Sequence, residues 1–287
     1  MHQRQHVVDA GGQAALDHRS GTHVLDQRLA GPEPRSPWHA LFHVFDVGGF
    51  RSPGANQLED RLGHAFADGN VAVVLPVGLD HAEYLGEDIT DIAREKAGII
   101  KEGSVAVLAA QDKRVAEILL ERCAEVGAQV ARESAEFGVV ERELAVGGQR
   151  LELQGLSGRY DEIFLPLHGE HQASNAAVAL AAAEALVGAG TAQPLDPGAV
   201  RAAFASVRSP GRLEPVEGGP DRPTVLLDAA HNPAGATALA AALGSEFRFT
   251  RLVGVIGVLE GKDARGILEA LRPALHEVVV TSSSSPP

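Results

Sequence analysis

From residue 71 onward the chain repeats one alternation: a short apolar run, then a longer stretch with apolar side chains at helical spacing. Val71-Ala72-Val73-Val74-Leu75 predicts a buried strand and 88–97 a helix; Val105-Ala106-Val107-Leu108-Ala109 and 112–126 repeat the pair. Continuous runs of this length suit strands covered on both faces, and the intervening helices suit parallel crossovers. The order βαβα therefore confines the chain to an α/β architecture. Short β runs follow at 137–140, 143–146 and 150–153, the last two flanking the hairpin signal Gly147-Gly148. A strand at 163–165, an alanine-rich helix at 174–186 ending before Gly188 and a shorter helix at 197–206 lead to Ser209-Pro210-Gly211. A second unit then predicts a strand at 224–227, a helix from 234, a strand at 251–256, a helix at 263–271 and a strand at 277–280. Those elements make half of an open parallel sheet.

One residue in the helix at 88–97 sits on an unexpected side. Its apolar positions are Ile89, Ile92 and Ala93, and Lys96 follows them by seven, four and three residues, on the same face. Asp91, Arg94 and Glu95 take the solvated side. A buried lysine is costly unless it is paired, modified or put to use; an ammonium that snorkels past the helix end is the plain alternative.

A net charge of -13 argues against nucleic acid or an anionic membrane as general partners. An anionic ligand such as ATP would need local positive features: helix N-termini, metal and a few arginines. Cys123 is the only cysteine, so no intrachain disulfide forms, and its place four residues after Leu119 reads as core packing. No apolar run approaches the roughly 18 residues of a membrane helix and no signal-peptide core is present, so a cytoplasmic protein is expected. The first 65 residues differ from the rest. They hold His2, His6, His18, His23, His39, His43 and His64 of twelve histidines, and the breaker cluster Gly31-Pro32-Glu33-Pro34-Arg35-Ser36-Pro37. His39 and His43 share a helical spacing, but no third ligand completes a zinc pattern. This segment is expected to be poorly ordered and foreign to the fold.

Four further segments carry chemistry. Pro76-Val77-Gly78-Leu79-Asp80-His81-Ala82-Glu83-Tyr84-Leu85-Gly86 follows the first strand, shortly before Arg94-Glu95-Lys96-Ala97-Gly98-Ile99-Ile100-Lys101. Leu167-His168-Gly169-Glu170-His171-Gln172-Ala173-Ser174-Asn175-Ala176-Ala177 reads as a glycine turn into a helix with Asn175 in its first turn. Ser174 or Asn175 could simply cap that helix. Ser209-Pro210-Gly211-Arg212-Leu213-Glu214 sets a turn and offers a forked guanidinium suited to phosphate oxygens, or a surface arginine in a linker. Leu227-Asp228-Ala229-Ala230-His231-Asn232-Pro233 puts Asp228 at the carboxyl end of a strand, where ligands gather in open α/β sheets. There too an Asp or Asn could merely cap the next helix.

In this order the segments resemble the signature of the folylpolyglutamate synthase/dihydrofolate synthase family, within the Mur ligase superfamily, over roughly 71–280. The resemblance implies a Mur-ligase-like α/β fold in which 66–209 form an incomplete P-loop-type central ATPase domain. Residues 210–287 would form a partial Rossmann-like C-terminal domain, with 1–65 unmatched. It implies that His81 ligates Mg2+ and that Lys96 is carbamylated, an anion that helps hold metal. Asn175, Arg212 and Asp228 would contact ATP, and His231 would join Lys96 in the catalytic cleft. The implied activity is amide-bond ligation: ATP phosphorylates a folate or dihydropteroate carboxylate to an acyl phosphate, and the amine of L-glutamate attacks it. A monomer acting on small molecules is expected.

The chain also departs from that family. The loop G-T-N-G-K-[ST] is absent, since no lysine precedes Lys96, and Gly261-Lys262 has Ile256 and Asp263 where the loop needs glycine and a hydroxyl residue. The E-V-G-x-G-G-R element before the strand at 71 is missing, and the sequence stops before the rest of the family's final domain. A weakened ATP site is the expectation. A non-catalytic remnant or binding module on the same scaffold therefore stays open, as does a peptidoglycan-precursor Mur ligase. No G-x-G-x-x-G follows a strand, which sets nicotinamide chemistry aside.

Overall fold

The computed structural model describes residues 70–78, 88–187, 193–216, 223–259 and 261–281, with the backbone of one early strand, β1 (His6–Asp9). Asp80, His81 and most of 1–65 lie outside the described residues.

The first unit opens with the expected crossovers: β2 (Val71–Val74), α1 (Ile89–Ala97), β3 (Val105–Leu108), α2 (Lys113–Val126) and β4 (Gln129–Arg132). The strands form one parallel sheet in the order β2-β3-β4. Asp88 caps α1 by accepting from Thr90 N–H at 3.0 Å, and Asp112 caps α2 from Arg114 N–H at 2.9 Å. α2 ends at Gly127 with φ 64, the left-handed conformation glycine adopts without cost. Alternation then divides the side chains between two cores. Ala72, Val74, Ala106 and Leu108 meet Ile92, Ala93, Val115, Leu119 and Cys123 of the two helices. Val107, Ala109 and Ala131 face the opposite way, toward the rest of the unit. Each fully buried Val, Leu or Ile side chain contributes about 1.5–3 kcal/mol, and each alanine less. β4 gave little sequence signal because Val130 and Ala131 are its only apolar residues and the strand lies at an edge.

An antiparallel meander closes that second core: β5 (Gly138–Ala145), β6 (Gly148–Gln154) and β7 (Arg159–Leu165). The runs predicted separately at 137–140 and 143–146 belong to one strand, and Gly147, with φ 77, makes the expected tight turn. β7 starts earlier than 163 because a register shift and Glu162 at φ 54 interrupt its alternation.

Between sheet and meander runs α3 (Glu170–Val187), followed by α4 (Pro197–Ala205). The sequence pattern places the start of α3 at 174; the helix begins four residues earlier, because its first turn is polar and carries no apolar periodicity. Asn175 therefore lies in the second turn, and neither it nor Ser174 is a cap: Ser174 donates its hydroxyl to Glu133 at 2.6 Å. Glu184 pins the far end of α3. Its buried carboxylate accepts from Tyr160 O–H at 2.7 Å, from Ser157 N–H at 3.3 Å and from Leu156 N–H. Burial and that carboxylate push the Tyr160 hydroxyl up to about 12.

The second unit departs from the half-sheet that was expected. β8 (Glu214–Val216) pairs antiparallel with β9 (Val225–Leu227), and β10 (Val253–Gly257) pairs parallel with β11 (Glu277–Thr281). Among the described residues β9 thus joins β8 rather than β10. β8 was not anticipated because Pro215 at its centre reads as linker. β1 adds to the other edge of β11, antiparallel. α5 (Pro233–Glu246) and α6 (Ala264–Leu271) pack on each other and cover one side through Leu239, Ile267 and Leu271. Among the described residues no helix is long and apolar enough to cross a membrane.

Candidate functional site

A cleft of about 570 Å³ lies between the two units. Its first wall is the face of α3 carrying His171, Gln172, Asn175, Val178, Ala179 and Ala182, which recur at helical spacing. The second wall is the turn with Ser209 and Arg212, the loop with Asp228, Ala230 and His231, and the start of α5. Leu75, Pro76 and Gly78, beyond the carboxyl end of β2, join Ile92 and Lys96 of α1 along a third side. Five of the six residues singled out in the sequence, Lys96, Asn175, Arg212, Asp228 and His231, line this one cavity. The sixth, His81, lies outside the described residues.

Local folding explains each placement. Ile92 and Ala93 are buried while Asp91 and Arg94 are exposed, so the face reading of α1 holds and Lys96 turns toward the cleft. The glutamine after β3 holds the strand exit: Gln111 accepts from Val77 N–H at 2.9 Å and donates to the Leu75 carbonyl at 2.9 Å. A side-chain amide thereby supplies the partners a neighbouring strand would give. Gly169, at φ 100, turns the chain into α3, and a Cβ there would run into the His171 ring. Asn175 donates to the Gln172 amide oxygen at 3.3 Å one turn away.

On the second wall, Asp228 braces the loop. One carboxylate oxygen accepts from Leu213 N–H at 2.9 Å and the other from Ala230 N–H at 2.8 Å. The turn and the loop are thereby held together, a bond reinforced by Ala229 N–H to the Gly211 carbonyl at 2.8 Å. Asn232 is the cap of α5, accepting from Gly235 N–H at 2.7 Å, and Pro233 occupies the first turn. His231 Nδ1 lies 3.0 Å from the Ala229 carbonyl. A carbonyl can only accept, so that nitrogen carries the proton and Nε2 is the acceptor in the neutral ring.

The electrostatics favour an anion locally although the chain is acidic overall. The N-terminus of α5, the Arg212 guanidinium and Lys96 border the same cavity. His171 is held below its ordinary imidazole range, first by burial; the Arg212 guanidinium adds to that and the Asp228 carboxylate opposes it. His171 and Gln172 fall within the segment 167–177 without an expected role of their own. Their signal was the spacing of His171 to Asn175, one helical turn. Among the described residues no group of three or more His, Cys, Asp or Glu side chains could hold a metal ion.

Comparisons with known proteins agree with this arrangement. Residues 53–183 match the Mur ligase middle domain and residues 211–287 match the Mur ligase glutamate ligase domain. The chain is therefore built from Mur ligase domains, one on each side of the cleft. The dihydrofolate synthase/folylpolyglutamate synthase of Mycobacterium tuberculosis is 56% identical over 222 residues, 75% of this chain and 45% of the relative. The folylpolyglutamate synthase of Lacticaseibacillus casei is 34% identical over 208 residues, 72% of this chain and 47% of the relative. The structure of the Mycobacterium tuberculosis folylpolyglutamate synthase with ADP superposes with a TM-score of 0.72 at 53% identity, covering 77% of this chain and 49% of that one. The chain belongs to the folylpolyglutamate synthase/dihydrofolate synthase family. It spans about half the length of the curated relatives it matches.

Proposed function

We propose that this chain carries the nucleotide cleft of an ATP-dependent ligase that joins L-glutamate to a folate, as a folylpolyglutamate synthase, a dihydrofolate synthase or both. The observation that supports it is the convergence of Asn175, Arg212, Asp228, His231 and Lys96 on one cavity. In this reading the apolar stretch of α3 around Val178 and Ala182 receives the base, with the Asn175 amide at its edge. Arg212 and the α5 N-terminus take phosphate oxygens. Asp228 keeps the Arg212 turn and the loop before α5 in register, and it lines the cleft.

The chemistry proposed is transfer of the γ-phosphoryl group to a folate carboxylate oxygen, with ADP leaving. The glutamate amine then attacks the acyl carbon, phosphate leaves with the C–O bond electrons, and the amine loses a proton. Positioning of the two substrates and stabilisation of the phosphate charge supply most of the acceleration in such transfers. Mg2+ would neutralise phosphate charge, with His81 and a carbamylated Lys96 as its proposed contacts; the described residues alone do not form its site. No phosphate loop of the family's form occurs within this sequence, where no lysine precedes Lys96. A cytoplasmic monomer is the proposed form.

Calorimetric titration of the full chain with Mg-ATP, with and without a folate, tests this. Saturable binding of both supports the ligase reading, and glutamate-dependent ADP release establishes it. Binding of neither ligand defeats it and leaves a scaffold without catalysis. The structure of the FPGS–AMPPCP–folate complex, 33% identical with a TM-score of 0.67, covers 72% of this chain and 49% of that one. That complex makes folate the acceptor to test ahead of a peptidoglycan precursor.

A further inference from the structure

Behind the cleft, a carboxylate at the end of α5 is gripped by the first unit. The Glu246 side chain is only 2% exposed. It accepts from Gly169 N–H at 2.8 Å and from the Arg142 guanidinium of β5, and it lies 3.2 Å from His168 Nδ1. Arg142 in turn donates to the Gln149 side-chain oxygen at 2.5 Å. The fully buried Gln149 donates onward to the carbonyls of Leu167 and Gly169, at 2.9 and 3.2 Å. Phe247 follows Glu246 and rests its ring on His168, with centroids 4.8 Å apart. Every group holding Glu246 thus belongs to the first unit, while the carboxylate belongs to the second.

Placement at the end of its own helix is unfavourable for an anion, because the C-terminal end of α5 carries partial negative charge. Burial adds a desolvation penalty that only paired, well-aligned donors offset. The compensation comes from Arg142 and from the turn that starts α3, whose N-terminal end favours an anion. The gripped residue, Gly169, lies two positions before His171, the first α3 side chain in the cleft. The second unit brings Arg212, Asp228 and His231 to the opposite wall. Glu246 therefore ties the root of one wall to the body that carries the other.

We propose that Glu246 is a positioning residue, an inter-unit clamp that sets the width of the cleft. It lies outside the residues that line the cleft and acts through Gly169 and the entry to α3. The proposal rests on the nucleotide reading only for its affinity consequence; the clamp itself is geometric. Spin labels on Glu121→Cys in α2 and Ala264→Cys in α6 report the distance between the units, since both positions are exposed and Cys123 is buried. With Glu246 intact a narrow distance distribution is expected. Glu246→Ala broadens it and weakens ADP binding by about tenfold. Glu246→Gln, the same shape and still an acceptor for Gly169 N–H, gives an intermediate width and guards against a variant that fails to fold. An unchanged distribution in Glu246→Ala overturns the clamp. A broadened distribution with unaltered ADP affinity overturns its role in setting the cleft. If the parent chain binds no ADP, the nucleotide reading falls while the distances still decide for or against the clamp.

Discussion

The two units solve the same packing problem unequally. In the first, the sheet β2-β3-β4 is covered on both faces, and Ala106 and Val107, adjacent on β3, are both fully buried on opposite sides. In the second, among the described residues, α5 and α6 cover one side only. Val255 of β10 remains 71% exposed, and Val225, Leu227 and Val253 are also exposed among the described residues. The first unit therefore defines its cleft wall through its own core. The second holds its wall through the braces at Asp228 and Asn232 and through contacts with the first: the meeting of α3 with α5 and the bonds to Glu246.

Truncations should expose that inequality most clearly. Leu119→Ala, in the fully enclosed core, is expected to cost about 2–5 kcal/mol, whereas Val255→Ala on the bare face should stay within about 0.5 kcal/mol. Urea midpoints compare them, and a loss for Val255→Ala near that of Leu119→Ala would break the contrast. Glu184→Gln comes next. Its amide keeps the acceptor for one donor but loses the charge that holds three, so about 1–3 kcal/mol is expected, with thermal melting as the readout. Gln111→Ala removes bonds that shape the exit from β2 and should cost about 1–2 kcal/mol. Amide exchange at Val77 should rise with it; unchanged protection there would deny the splint.

The smallest effect concerns pH. His171 has a folded pKa lowered from 6.5, so its contribution is fully present above 6.5 and is lost as pH falls through the lowered value. The unfolded chain takes up its proton first over that window, which makes stability decline on acidification. His171→Asn should flatten this part of the profile, measured as urea midpoints between pH 8 and 5. A midpoint difference that grows in the opposite direction would refute the assignment.

Much of the first unit was readable because its signals are local. Apolar runs, the helical spacing at 88–97 and 112–126 and the Gly147 turn agree with the packing they enter. The reading weakened where tertiary contacts decide. The start of α3 looked like loop because His171 and Gln172 are polar for the sake of a cavity that only the fold creates. β8 hid behind Pro215, and the pairing of β9 with β8 depended on a partner with no pattern of its own. The cleft itself was legible as motifs separated by more than a hundred residues, but their convergence is a property of the fold. Glu246 carried no sequence signal at all: an acidic residue at a helix end usually means solvent, and its burial follows from Arg142 and Gly169 far upstream.

In the proposed ligase, both walls of the cleft serve one ligand. Hydrogen exchange of the full chain with and without ADP measures this directly. Protection is expected to rise together at 171–182 of α3 and across 228–235, with Arg212→Ala diminishing both. Protection confined to one wall, or absent from both at millimolar ADP, would contradict it.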